Sequence, residues 1–222
     1  MVHIAVVIMA KQPQPGAVKT RLCPPLSPHA AAVLYEAFLL DKIAQVGRLK
    51  AACPVIAYTP DTARHYFAAI APQFLLVPQH GDDLGARLAN TFASLFATGY
   101  TGVLAIDSDT PTLPTDFLQQ AVERIALPQH DVVLGPSEDG GYYLIGLRAL
   151  HRELFEDMPW STPAVIPETR RRATIKGLTM TDLPAWFDID TPEELERLRA
   201  TLLQSAPGAP YHTRQFFLEE HR

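Results

Sequence analysis

Short apolar runs alternate with stretches of helical periodicity along most of the chain, and this alternation constrains the fold more than any other feature. Strands that alternate with helices build βαβ units and a mostly parallel sheet, so an α/β fold is expected. Val2–Met9, Pro54–Thr59, Phe74–Val77, Gly102–Ile106, Asp131–Leu134 and Tyr142–Leu147 read as strands. Helices are expected from Pro28 to about Val46, over Asp61–Ile70, Leu84–Ala97 and Thr115–Ile125, in a short basic stretch Glu168–Arg172, and from Thr191 to about Leu203. Local signals mark the helix ends. Ser27 before Pro28 is an N-cap with proline at the first helical position, Gly99 closes a helix, and Thr191 with Glu194 forms a capping box. Gly102–Ile106 is apolar throughout and is the expected centre of the sheet.

A length of 222 residues suits one domain with a small appendage. We read residues 1–204 as that domain and 205–222 as a tail, whose Phe216-Phe217 pair packs onto the body or onto a partner chain as a homodimer contact. The 47% hydrophobic and 19% charged fractions exclude disorder as the main state. The net charge of −5, with no basic cluster, points away from nucleic acid. Cys23 and Cys53, without a CxxC, argue against a disulfide scaffold or zinc ribbon and for a reducing compartment. The apolar stretch Met1–Ala10 is too short to cross a bilayer and lacks the basic flank of a signal peptide, so neither membrane nor export is expected and the location expected is cytoplasmic.

In open parallel sheets ligands bind beyond the carboxyl ends of the strands, which selects three loops. The first, after strand one, carries Lys11, Gly16, Lys19 and Arg21. Glycine permits close backbone approach and the cations can clamp phosphate oxygens, although neither a Walker A nor a GxGxxG pattern is present; the bland reading is a solvated basic loop. The second carries Asp107 and Asp109, delivered by the apolar Gly102–Ile106. Paired carboxylates leaving a buried strand need a cation or donors, and a hard divalent ion such as Mg²⁺ or Mn²⁺ with phosphate oxygens satisfies them; the alternative is an Asx-turn. The third carries Glu138, Asp139, Gly140 and Gly141, either a plain strand-joining turn or a pocket with exposed amides and an acid as base. A fourth cluster, Asp188 and Asp190, stands just before a helix, where it supports the helix N-terminus or supplies further metal ligands. Arg87, in Asp82–Arg87, reaches a phosphate or ribose, or is simply solvated. The eight histidines show no metal-binding spacing, and Cys23 has no histidine partner nearby in sequence.

Five ordered segments carry a resemblance: Val18-Lys19-Thr20-Arg21-Leu22, Ser108-Asp109-Thr110-Pro111, Glu138 to Leu147, Trp160-Ser161, and Asp188-Ile189-Asp190-Thr191-Pro192. Together they resemble a bacterial family of small GT-A-like proteins, once a domain of unknown function, known as radical-SAM/selenodomain-associated or arsenosugar-biosynthesis glycosyltransferases. The family is also similar to phospholactate and phosphoenolpyruvate guanylyltransferases. The resemblance implies a nucleotide-diphospho-sugar transferase fold (GT-A, Rossmann-like, three layers) with a mixed, mostly parallel sheet. It implies a nucleotide-sugar or nucleoside triphosphate at the first loop, with Lys19 and Arg21 on the diphosphate. It also implies Mg²⁺ or Mn²⁺ at Asp109, with Asp188 and Asp190 assisting; family members often carry Gly where this chain has Asp107.

Three functions stay open at this point. A glycosyltransferase would deprotonate an acceptor hydroxyl with Asp139 or Glu138. A nucleotidyltransferase would let a phosphorylated small acid attack an α-phosphorus, with two ions on Asp109, Asp188 and Asp190. A non-catalytic nucleotide-binding module would keep the fold without turnover.

Overall fold

The structure is a computed structural model describing residues 3–204 and 210–219. Among the described residues seven strands form one sheet in the order β3-β2-β1-β4-β6-β5-β7. They are β1 (Ile4–Lys11), β2 (Ala52–Thr59), β3 (Leu75–Pro78), β4 (Gly102–Ile106), β5 (Val132–Pro136), β6 (Tyr142–Leu147) and β7 (Met180–Asp182). β1 to β4 run parallel, β6 lies antiparallel between β4 and β5, and β7 runs parallel to β5. β4, buried at all five positions, takes the central place its composition calls for. The three-residue β7 has too little apolar length to stand out in the sequence, and its polar Thr181 and Asp182 hide it further.

Helices α1 (Pro28–Val46), α2 (Arg64–Ile70) and α4 (Thr115–Ile125) cover one face; α3 (Leu84–Ala97) and α5 (Val165–Ile175) cover the other. Strand alternation feeds both layers: Ile4, Val6 and Ile8 of β1 enter one core, Ala5 and Val7 the other. The Ser27 cap is present, its side chain accepting from Ala30 N at 3.1 Å. The Asp61–Ile70 helix begins as a 3₁₀ turn over Asp61–Ala63, and the expected Glu168–Arg172 helix extends to Val165–Ile175.

α6 (Pro192–Gln204) and α7 (Tyr211–Glu219) form an outer layer behind α1. α1 is therefore buried on two sides: Leu39 and Val46 face the sheet, while Leu34 and Phe38 face Leu198, Phe216 and Phe217. Asp41 of α1 is buried and caps α7, accepting from His212 N, Thr213 N and Thr213 Oγ1 at 2.9, 2.8 and 2.7 Å. The Phe216-Phe217 pair thus packs on its own chain, the first of its two expected placements. Val2, where the first strand was expected to open, and tail residues 205–209 and 220–222 lie outside the described residues. Among the described residues no helix is long and apolar enough to cross a membrane.

Candidate active site

Because β1, β4, β5 and β7 share one direction, the loops that leave their carboxyl ends gather at one end of the sheet. This topology collects all four sequence clusters. The loop after β7 is tied down by backbone bonds to two of the others. Ile189 N donates to Asp109 O at 3.1 Å, and Glu138 N donates to Trp186 O at 2.9 Å. Alternation then sorts its side chains: Phe187 and Ile189 are buried in the outer core, and Asp188 and Asp190 are left for the site. The capping box forms as expected, Glu194 Oε2 accepting from Asp190 N and Thr191 N at 2.7 and 2.8 Å.

Lys19 joins three of these loops. It has left-handed backbone (φ 47°, ψ 38°) ahead of a 3₁₀ turn whose Leu22 is buried. Its side chain is 3% exposed. Nζ donates to Ile189 O at 2.7 Å and Asp190 Oδ1 at 2.8 Å, and lies 3.0 Å from Asp109 Oδ1. Burial pulls its pKa down, but Asp109 and Asp190 more than reverse this and hold it above the ordinary lysine value. Asp109 Oδ1 is buried and accepts no aligned hydrogen bond, so its charge is met by the ammonium without a directed partner. Arg21 is 68% exposed, 3.7 Å from Asp190 Oδ2.

Behind the second loop lies a buried polar layer. Asp107 Oδ1 accepts from Thr110 Oγ1 at 2.7 Å. Lys42 of α1, 1% exposed, donates to Thr110 O and Oγ1 at 3.0 and 2.8 Å and stands 4.0 Å from Asp107. Burial pushes Asp107 up to about 6 despite Lys42. Tyr35 OH accepts from Lys11 N at 3.0 Å and pairs with Ser108 Oγ at 3.0 Å, which joins the end of β1 to the end of β4. Asp188 is pushed up to about 7 by burial and by its neighbours Asp139, Asp190 and Asp107.

A cleft of about 480 Å³ opens here. Lys11, Lys19, Arg21 and Arg87 line it together with Asp107, Asp109 and Asp190. The N-terminus of α3, capped by Asp83 on Ala86 N at 2.7 Å, brings Leu84 and Arg87 to its wall; Arg87 Nε is itself tied to Gly81 O at 2.9 Å. Gln79 is another wall residue, its amide donating to Ala10 O and Ala57 O at 3.2 and 2.6 Å. Ser161 of Trp160-Ser161-Thr162 lines it too.

The third loop is the turn that joins β5 to β6, the plainer of its two expected readings. Glu138 forks onto Arg197 of α6 at 2.6 and 3.2 Å, which lowers its pKa, and that guanidinium sits 3.6 Å over the Phe187 ring. An ionised carboxylate held this way is a tether, not a base. The amides of Gly140 and Gly141 are engaged by Ser137 O at 3.2 Å and Asp139 Oδ1 at 2.8 Å, so neither is exposed to a ligand. Gly140 is required by conformation: φ is +93°, and a Cβ would come within 2.5 Å of Pro163 Cα. Gly16, at φ +77° with open space around it, shapes the first loop without lining the cleft. Asp139 is exposed at the turn, close enough to act on Asp188.

Sequence reasoning missed Lys42, Tyr35, Thr110 and Gln79. Lys42 had a visible signal, a lone cation four residues after Phe38 on an apolar helix face. The others have ordinary side chains in ordinary positions.

Among solved structures, one from Desulfovibrio desulfuricans G20, provisionally named a nucleotide-diphospho-sugar transferase, is 32% identical with a TM-score of 0.90, covering 100% of this chain and 96% of that one. A 4-diphosphocytidyl-2C-methyl-D-erythritol synthase matches at TM-score 0.62 and 14% identity, covering 91% of this chain and 99% of that one. CMP:2-keto-3-deoxy-manno-octonic acid synthetase, complexed with CTP, matches at TM-score 0.60 and 13% identity with the same coverage. The last two share the fold. No curated protein matches. A family model covers residues 42–162, including the second and third loops, and with the likeness over the whole chain it shows that this protein belongs to the bacterial family described as "uncharacterized protein conserved in bacteria (DUF2064)".

Proposed function

We propose that the chain is a metal-dependent glycosyltransferase that takes a nucleotide-diphospho-sugar donor and a small-molecule acceptor. The observation that carries this reading is the single cleft in which Lys11, Arg21 and Arg87 face Asp107, Asp109 and Asp190. Cations suit the phosphates of a donor, and carboxylates suit a divalent ion that phosphates also bind. The name given to the Desulfovibrio relative points the same way.

The residues fit Mg²⁺ or Mn²⁺. Asp109 Oδ1 is a buried acceptor without a directed hydrogen bond, and Asp107 and Asp188 are held in neighbouring, mutually repelling positions. Among the described residues no three acidic, histidine or cysteine side chains are gathered as a ready-made metal site. An ion held by one or two carboxylates plus phosphate and water would draw them from Asp107, Asp109, Asp188 and Asp190. A bound divalent ion supplies charge that stabilises the leaving nucleoside diphosphate.

The chain's own residues do the rest. Arg21, Lys11 and Arg87 bind and orient the donor phosphates, and the N-terminus of α3 adds its dipole to the same wall. Asp139 takes the proton of the acceptor hydroxyl; one oxygen stays on Gly141 N, leaving the other for the proton. Glu138 and Arg197 fix the turn that presents Asp139.

Nucleotidyl transfer is the second reading, favoured by the late Asp188/Asp190 pair and by the fold shared with two cytidylyl-transferring synthases. There an acceptor phosphate attacks the α-phosphorus, pyrophosphate leaves, and no base is needed. A non-catalytic nucleotide-binding module is the third. A cytoplasmic location and an arsenosugar or radical-SAM setting, both carried from sequence, belong to the proposal.

Thermal unfolding against UDP-, GDP-, CDP- and dTDP-species and the matching triphosphates, with and without Mg²⁺ or Mn²⁺, tests it. Ligand at about 100 times its Kd adds about 2.7 kcal/mol. A metal-dependent shift with one diphosphate, lost in Asp109→Ala, and transfer of its sugar support glycosyl transfer. A shift confined to triphosphates moves the assignment to nucleotidyl transfer. A metal-dependent shift without turnover of any donor selects the binding module, and no shift at all refutes all three.

A further inference from the structure

We propose that Lys19 is a built-in cation filling one of two cation seats in the acidic cleft, so that the chain takes one divalent ion per molecule. The inference rests on reading the cleft as a metal and nucleotide site, and it removes Lys19 from the residues that grip the donor diphosphate.

The surroundings of the Lys19 ammonium are those of a metal ion. Two carboxylates from different loops and a backbone carbonyl surround Nζ at 2.8, 3.0 and 2.7 Å. Carboxylate and carbonyl oxygens are what a hard cation collects. The seat is built to stay filled. The side chain is 3% exposed, and its root is anchored by left-handed backbone and by Leu22, which is buried three residues on. Withdrawing the ammonium to meet a phosphate would strand Asp109, Asp190 and the Ile189 carbonyl together, and uncompensated carboxylates in a part-buried cluster are expensive.

Charge balance gives the same count. Asp107, Asp109, Asp188 and Asp190 bring four negative charges when ionised. The ammoniums of Lys19 and Lys42, 3% and 1% exposed, bring two positive ones. Two negative charges remain, which one divalent ion neutralises. At the rim Lys11, Arg21 and Arg87 outnumber the exposed Asp139, and this positive excess is left to meet the donor phosphates. The ion then falls to Asp107 and Asp188, which Lys19 does not touch, with Asp109 between the two cations. Donor phosphates fall to Arg21, Lys11 and Arg87.

Counting Mn²⁺ bound to the full chain tests this, using electron paramagnetic resonance of free Mn²⁺ at pH 8 and a chain carrying both Asp107→Asn and Asp188→Asn as background. One Mn²⁺ per wild-type chain and two per Lys19→Gln chain are expected, because a shorter, uncharged side chain leaves the carboxylates of the second seat to a metal ion. Lys19→Met carries the same expectation, and a circular dichroism melt establishes that each variant folds. Two ions on the wild type overturn the inference, as does one ion on both wild type and a folded variant; either result leaves the proposed function standing. No bound Mn²⁺ on any of them, alone or with the nucleotides above, overturns the metal-dependent reading and the inference with it. The wild-type count decides alone should neither variant fold.

Discussion

Asp188→Asn should make the ligand-free protein more stable while weakening the site. Burial and the charges of Asp139, Asp190 and Asp107 push the Asp188 carboxyl from 3.8 to about 7. A difference of roughly 3 pH units corresponds to about 4 kcal/mol at 1.36 kcal/mol per unit. Partial solvent access and the sharing of repulsion among neighbouring carboxylates bring this to about 2 kcal/mol. The direction follows from proton binding. Between pH 4 and 7 the folded chain holds a proton at Asp188 that the unfolded chain has lost, so stability falls as pH rises through that window. Below it neither state is ionised and the penalty is absent; above it the full penalty applies. Asparagine keeps the shape and cannot ionise. In thermal unfolding with a chelator present, the variant should match wild type near pH 4 and exceed it by about 4–8 °C at pH 8, given about 2–4 °C per kcal/mol at this chain length. Added Mn²⁺ should shrink or reverse the gap, because only the wild type then gains a ligand. A variant no more stable than wild type at pH 8 in chelator would refute the reasoning.

Three further outcomes are expected. Glu138→Gln should change turnover by less than about threefold, since the side chain serves as a tether, whereas Asp139→Asn should cost about 10² or more in glycosyl transfer and spare nucleotidyl transfer; steady-state rates separate the two. Gly140→Ala should lose about 1–3 kcal/mol in urea unfolding, because φ +93° suits glycine and Pro163 Cα lies 2.5 Å from the new methyl. Ile189→Ala should cost about 2–4 kcal/mol of stability and also weaken Mn²⁺ binding, since Ile189 is fully buried beneath the two acids it separates; calorimetry and Mn²⁺ titration read the two effects.

Much of the frame was legible because its signals are local. Ser27-Pro28, Gly99 and the Thr191–Glu194 box announce helix ends through chemistry within four residues, and Gly102–Ile106 announces the sheet centre by having no polar face to expose. The acids were legible because carboxylates at the end of an apolar strand need a reason to be there. What the sequence did not reveal depends on long-range pairing. Glu138 as a base and Glu138 as a tether have the same neighbours in sequence; Arg197, 59 positions away, decides between them. Lys19 as a phosphate clamp and Lys19 as a fixed counter-ion differ by contacts 90 and 171 positions off. β7 escaped because three residues carry no period.

The polar site is held in place from its apolar side. Leu22 of the first loop, Phe187 and Ile189 of the late loop, and Phe38 of α1 share one core with Phe216 and Phe217 of α7. The ammonium of Lys19 sits 6.0 Å over the Phe38 ring, and Arg197, which tethers Glu138, lies on Phe187. Lys19 and Arg21 beside Leu22, and Asp188 and Asp190 beside Ile189, therefore each have a buried chain neighbour that belongs to the same outer layer. Carboxylates that repel one another cannot set their own positions; left to themselves they would spread into solvent. Packing free energy opposes that spreading, and a backbone with alternating side chains transmits it from Ile189 to Asp188 and Asp190. α7 matters to the chemistry for this reason, although none of its residues lines the acidic cleft: it seals the core whose other members carry the acids and the ammonium on their flanks.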